Sequence, residues 1–240
     1  GLQKCSVTVG YQLSYPDETI SQLSPQECTK LKREGLYICM IKNPNPVAKN
    51  VTPQLSDAAF IREKVPMTKE EIRHVSICKL HLKSDSVLYD VGSGTGSIAV
   101  EAASLSDDME VYAIEQKENA VQLITQNKEK HGLENIHVIK AKAPDGMDTL
   151  PVPTHAFIGG SSGNLKEIIE ALKVKNPHIR IVINAISMET ICEIKEILSA
   201  YDVKNEDIVQ LQVSRSKQIG HYHLMQAENP VFILSFYFAG

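Results

Sequence analysis

The residues whose types and spacing suit them best for chemistry are Asp90, Gly92, Ser93, Gly94, Gly96, Ser97 and Glu115. The first six lie in Val87-Leu-Tyr-Asp90-Val-Gly92-Ser93-Gly94-Thr-Gly96-Ser97, an apolar run ending in an acid and a glycine-rich turn. A strand that turns sharply into a helix needs glycine, which reaches positive φ and lets a ligand come close to the backbone. In open α/β sheets ligands bind beyond the carboxyl ends of the strands, where this turn would sit. Glu115 follows Gly96 by nineteen residues and ends the next apolar run. A carboxylate there can accept hydrogen bonds from both hydroxyls of a ribose. Together these residues point to a nucleoside ligand. A tight turn and a solvated strand-end carboxylate are the plainer readings of the same positions.

Spacing narrows the ligand. A dinucleotide site wants GxGxxG. Here the third glycine comes one position early, and Ser97 stands where a glycine would be wanted. GxGxG preceded by an acid is instead typical of S-adenosylmethionine sites, where Asp90 would orient the loop or the methionine part of the ligand. Thr68 has two roles open to it: a helix cap, with Glu71 three residues on, and a cofactor contact. Ser161 and Asn184 follow later apolar runs and would overlie the same crevice, with turn hydrogen bonds as the alternative.

The elements that must position these groups begin at Phe60. Thr68 opens a helix with Ile72, Val75, Cys78 and Leu82 as its apolar side. Val87–Val91 is a buried strand and Ser97–Ser104 a helix. Val111–Ile114 is a second strand, and Ala120, Leu123, Ile124 and Asn127 share one face of the next helix. Strands at Ile136–Ile139, Ala156–Ile158 and Arg180–Ile183 follow. Between the last two, Asn164 can cap a helix carrying Leu165, Ile168, Ile169 and Leu172, and Met188–Leu198 is a further helix. Ile208–Arg215 and Val231–Phe238 have no helix-length segment between them, so they are expected to pair antiparallel. Alternating strands and helices imply a mostly parallel sheet covered on both faces.

Residues 1–57 differ. Val7–Gly10 and Leu36–Ile41 read as strands. Ser24 to Arg33 reads as a helix with a Ser24-Pro25-x-Glu27 capping box. Paired Asn-Pro steps from Asn43 begin an irregular connection to about Ser56. Two strands and one helix make a poor core alone, so this segment is expected to be the remnant of a larger upstream domain or to pack on the main one. The first residue is Gly1, not Met, as expected of a fragment or a trimmed chain.

The 240 residues carry 25 Lys and Arg against 29 Asp and Glu, a net charge of -4. This argues against a general nucleic-acid binder, which needs a basic surface. Five cysteines, none in CxxC spacing, argue against a disulfide framework or a metal site and fit a reducing cytoplasm. No run approaches the eighteen or so apolar residues of a membrane span, and no signal peptide is visible.

Several blocks resemble the precorrin methyltransferase family that acts at carbon 15 in cobalamin biosynthesis. They are Asp57-x-x-Phe60-Ile61-Arg62-x-x-Val65-Pro66-Met67-Thr68-Lys69-x-Glu71-Ile72-Arg73, the glycine loop, Ala143-Pro144, Phe157-Ile158-Gly159-Gly160-Ser161-Ser162-Gly163-Asn164-Leu165, Asn184-Ala185-Ile186-x-x-Glu189-Thr190 and Asn229-Pro230-Val231. They span about residues 57 to 240. Val7-Thr8-Val9-Gly10-x-x-Leu13-Ser14-Tyr15-Pro16-Asp17-Glu18-x-Ile20 looks like the tail of the partner carbon-5 methylase.

The resemblance implies a Rossmann-like class I S-adenosylmethionine methyltransferase fold over 58–240, a seven-stranded sheet with an antiparallel last strand. It implies that 1–57 are a carbon-5 methylase remnant plus linker, with the rest of that domain upstream, and that the enzyme is a homotetramer. The donor site would comprise Thr68, Asp90, Gly92, Ser93, Gly94, Gly96, Ser97, Glu115 and Ala143. The implied reaction methylates carbon 15 and decarboxylates the ring C acetate. Its polycarboxylate tetrapyrrole substrate calls for a local basic surface. Arg215, Lys217, His221 and His223 offer one, and Arg62, Lys64, Lys69 and Arg73 another. Singly, each reads as a solvated charge. Substrate-positioning candidates are Arg215, Lys217, His221 and Asn184. The rivals are a methyltransferase of tRNA or of a small metabolite, a non-catalytic nucleotide-binding subunit and a dinucleotide oxidoreductase.

Overall fold

The computed structural model describes residues 5–44 and 52–239, so residues 45–51 of the expected Asn-Pro connection lie outside the described residues. The chain divides into two units, Gly1–Ala48 and Lys49–Gly240.

The first unit is a three-stranded antiparallel sheet of β1 (Ser6–Tyr11), β2 (Thr19–Leu23) and β3 (Tyr37–Lys42), with β1 in the middle. Val7, Val9 and Tyr11 alternate along β1 and are buried, as a period of two requires. The Arg33 guanidinium lies over the Tyr11 ring at 4.2 Å. Two expectations need correction. The helix starting at Ser24 has the capping box, but it ends as a single turn, α1 (Pro25–Cys28), rather than reaching Arg33. None of its residues is buried, so no packed apolar stripe carries it past the costly first turn. The strand β2 was not foreseen: all but its last residue are exposed, which leaves no alternation to read.

The second unit begins with α2 (Glu70–Leu80) and then alternates: β4 (Val87–Val91), α3 (Ser97–Ala103), β5 (Glu110–Glu115), α4 (Glu118–Lys130), β6 (Ile136–Lys140), β7 (His155–Ile158), α5 (Leu165–Lys175), β8 (Arg180–Ala185) and α6 (Met188–Ala200). It closes with β9 (Val203–Leu211), β10 (Ser214–Ile219), β11 (Tyr222–Ala227) and β12 (Val231–Phe238). Seven strands form one sheet in the order β6-β5-β4-β7-β8-β12-β9. β4 to β8 run parallel, and β12 inserts antiparallel to both β8 and β9. This is the expected Rossmann-like methyltransferase sheet with an antiparallel last strand.

Alternation along the strands divides the core between the two faces. Tyr89 and Val91 pack with Leu165, Ile168 and Ile194 of α5 and α6. Leu88, which precedes them and points to the other face, packs with Ile77, Ile98 and Ile124 of α2, α3 and α4. The buried faces of α4 (Ala120, Leu123, Ile124, Asn127) and α5 (Leu165, Ile168, Ile169, Leu172) are those expected.

Two features depart from the sequence reading. First, Thr68 does not cap α2: the cap residue is Lys69, which makes no side-chain cap bond. The buried residues of α2 are Ile72, Arg73, Ser76, Ile77 and Leu80, while Cys78 is exposed. Arg73 and Ser76 reach the interior because both are hydrogen-bonded there, which a hydropathy stripe does not register. Second, the expected strand Ile208–Arg215 is split. Arg215 belongs to β10, which pairs only with β11 in an exposed two-stranded hairpin between β9 and β12.

Candidate active site

The β4–α3 turn lies at the carboxyl end of the central strand. Gly92, Gly94 and Gly96 have φ of 70°, 59° and 77°, a region costly for any residue with a Cβ. Gly92 is also needed for space, because a Cβ there would lie 2.3 Å from the Gly160 carbonyl oxygen of the β7–α5 loop. Gly96 is the cap residue of α3 and has no side chain to offer. Asp90 supplies the missing bond from the strand: its Oδ2 accepts from Ala99 N at 3.1 Å and from Ser93 Oγ at 2.6 Å. The carboxyl is fully buried, and Oδ1 has no hydrogen-bond partner among the described residues. Burial, together with the nearby Glu115, pushes the group up to about 7 against the two donated hydrogen bonds. Asp90 thus fixes the loop from beneath.

Glu115 ends β5 with its carboxylate beside that loop. Oε2 accepts from Gly94 N at 3.0 Å, and Oε1 accepts from Gln116 N and Lys117 N at 2.9 Å each. These bonds fix its orientation. The residue keeps 8 % of its surface and lines a cavity of about 800 Å³. Small-molecule sites span roughly 300–1,000 Å³.

The cavity collects Thr68, Gly92, Ser93, Gly94, Glu115, Ala143, Ser161 and Asn184 from the expected sites. Asp90, Gly96 and Ser97 do not line it. Asp90 lies under the loop, Gly96 packs on Ile124, and Ser97 is the buried first residue of α3. Arg215, Lys217, His221 and His223 do not line it either. They lie on the exposed hairpin, where Arg215 donates to Glu71 at 2.6 Å. Arg73 is no surface cation. Its guanidinium is buried and bonds Glu101 Oε2, Thr68 O, Leu55 O and Asp57 Oδ1. Arg62 is exposed and does not line the cavity.

Lys117 and Lys142, which the sequence reading passed over, join Lys64 and Lys69 at the wall. The carboxylates lining the cavity are Glu115 and Glu228. A chain of net charge -4 therefore presents four lysines against two glutamates in this cavity. Both missed lysines follow closely on strand ends, Lys117 after β5 and Lys142 after β6, and that was the signal available. Asn184 Nδ2 donates to Ser76 Oγ at 3.0 Å, which fixes the amide at the end of β8.

The residues fit a nucleoside methyl donor. A fixed carboxylate faces the cavity from the end of β5, a glycine turn admits close approach, and Ala120, Ala141 and Ala143 leave room for a flat base.

The model of the precorrin methyltransferase domain matches residues 58–237. The chain belongs to the precorrin methyltransferase family. Among its relatives, the probable cobalt-precorrin-6B C(15)-methyltransferase (decarboxylating) of Saccharolobus solfataricus is 39% identical over 190 residues, covering 77% of this chain and 96% of the relative. The cobalt-precorrin-6B C(15)-methyltransferase (decarboxylating) of Salmonella typhimurium is 35% identical over 183 residues, covering 75% and 94%. The solved precorrin-6y C5,15-methyltransferase of Geobacter metallireducens superposes with a TM-score of 0.73 at 32% identity, covering 79% of this chain and 97% of that chain.

Proposed function

We propose that this chain is an S-adenosylmethionine-dependent C-methyltransferase of corrin biosynthesis, methylating carbon 15 of a precorrin or cobalt-precorrin and decarboxylating the ring C acetate. The observation that carries the proposal is the Glu115 carboxylate, fixed at the mouth of the glycine loop in a cavity ringed by lysines. The relatives named for this reaction match over most of their length.

S-adenosylmethionine supplies an electrophilic methyl group on a sulfonium sulfur. The conjugated ring of the substrate supplies the attacking carbon, so the protein needs no strong nucleophile of its own. Its task is positioning and electrostatics. Glu115 accepts the ribose hydroxyls, Gly92 to Gly94 line the donor at close range, and Ala143 borders the base. Thr68 and Asn184 offer polar contacts in the same cavity. Lys64, Lys69, Lys117 and Lys142 receive substrate carboxylates. In the decarboxylation the bond to the acetate carboxyl breaks, carbon dioxide leaves, and the electron pair passes into the ring before a proton is taken up.

Calorimetric titration with S-adenosylhomocysteine tests the donor site. The chain binds it in the micromolar range. Glu115→Ala weakens binding by at least about a hundredfold, as expected for losing two hydrogen bonds to a charged group at about 1.5–3 kcal/mol each. Absence of binding to the folded chain, or equal binding by the variant, contradicts the proposal.

A further inference from the structure

The cavity wall formed by residues 60–69 contains no helix or strand among its described elements, yet Lys64 to Lys69 all line the donor cavity. This strap has no ladder of its own, so side chains must fix it. The buried face of α4 carries one polar residue, Asn127, where an amphipathic helix would ordinarily place an apolar one. Asn127 has no exposed surface. Its Oδ1 accepts from Ile61 N at 2.7 Å, and its Nδ2 donates to Ile61 O at 2.8 Å and to Thr95 O at 2.9 Å. One amide therefore binds the strap in both directions and the glycine loop as well. The two segments are already close: a Cβ on Gly94 would lie 3.0 Å from the Pro66 carbonyl oxygen. One turn further along α4, His131 Nε2 lies 3.1 Å from Ala59 O and its ring packs on Phe60.

We infer that Asn127 is a positioning residue for the methyl donor, joining the strap to the glycine loop so that both walls of the cavity keep one geometry. This rests on the donor-site reading above. A buried amide with all its partners made costs the fold little, whereas removing it leaves Ile61 N, Ile61 O and Thr95 O unpaired. The consequence specific to Asn127 is a loosened donor cavity.

Asn135 provides the control. It is also a buried asparagine, and its Nδ2 donates to Ala103 O, Ser106 O and Met109 O at 3.2, 2.9 and 2.9 Å. None of those residues lines the cavity. Asn127→Leu and Asn135→Leu are titrated with S-adenosylhomocysteine at a temperature where both are folded. Asn127→Leu raises Kd about tenfold or more, and Asn135→Leu leaves it within about twofold. In turnover, Asn127→Leu raises the KM for the donor more than it lowers kcat. Equal shifts in the two variants, or none in Asn127→Leu, overturn the inference while binding by the unmutated chain preserves the donor site. Failure of the folded, unmutated chain to bind overturns both. Should Asn127→Leu not fold, hydrogen exchange on the unmutated chain decides the matter: S-adenosylhomocysteine slows exchange of the Ile61 amide if the inference holds, and an unchanged rate overturns it.

Discussion

Asp90 makes the stability of this protein depend on pH in a direction opposite to that of most surface acids. The carboxyl is fully buried, and Oδ1 lacks a partner. Its folded value, about 7, stands well above the ordinary 3.8, because burial outweighs the bonds from Ser93 and Ala99. The folded chain thus holds this proton more tightly than the unfolded chain does. The stabilising contribution is complete below the unfolded value of about 4 and is lost as pH rises through about 7. At 1.36 kcal/mol per unit, the shift is worth roughly 4 kcal/mol. Asp90→Asn removes the titration. The amide can still accept from Ser93 and Ala99, but its NH₂ faces the side where Oδ1 has no partner, at a pH-independent cost of about 1–3 kcal/mol. Urea unfolding of both proteins from about pH 5 to about pH 8.5 isolates the group, since every other titration is shared. The parent is the more stable at the acid end, and its advantage shrinks by about 2–3 kcal/mol toward the alkaline end. A difference constant across the range would refute the reasoning and place the ionised carboxylate in the folded loop at all these pH values.

Other outcomes follow from the same geometry. Gly92→Ala places a Cβ 2.3 Å from the Gly160 carbonyl at a φ of 70°. It should abolish donor binding by calorimetry and lower stability by more than the roughly 1 kcal/mol typical of backbone strain alone. His155 is depressed to about 4 from 6.5, by burial first and then by Lys83, Arg180 and His81. A base with a lowered folded value contributes stability that is lost as pH falls from about 6.5 toward 4. The His155 contribution should therefore fall by roughly 3 kcal/mol across that window, opposing the gain from Asp90, and the stability difference between the parent and His155→Gln should shift against the parent by that amount between about pH 6.5 and pH 4 in a denaturation series.

The parallel sheet was legible because β4, β5, β7 and β8 are short apolar runs bounded by turn residues, and the glycine turn because Gly92, Gly94 and Gly96 punctuate one of them. Glu115 was readable from its place at the end of the next strand. What escaped notice was polar and buried, or apolar and exposed. Arg73 looks like a surface cation in sequence, yet Glu101, Asp57 and two carbonyls neutralise it inside. The β10–β11 hairpin is exposed along its whole length, so no alternation marks it. Arg215 therefore seemed to belong to the sheet, and Lys217 and His221 to a substrate-binding surface between its last two strands. Lys117 and Lys142 come close after strand ends whose position was known, but nothing local distinguishes them from the other lysines of the chain. Their convergence on one cavity exists only once the strand order β6-β5-β4 brings those ends together.

The most direct test is product analysis. The chain is incubated with S-adenosylmethionine carrying an isotopically labelled methyl group and, in separate reactions, with a precorrin and with a cobalt-precorrin not yet methylated at carbon 15, so that a substrate is offered in both forms, and the tetrapyrrole is weighed by mass spectrometry. The account predicts a product that has gained one labelled methyl group and lost one carbon dioxide, with one S-adenosylhomocysteine formed per product. Both forms recovered unchanged from a folded chain that binds S-adenosylhomocysteine, or either methylated without loss of carbon dioxide, would contradict it.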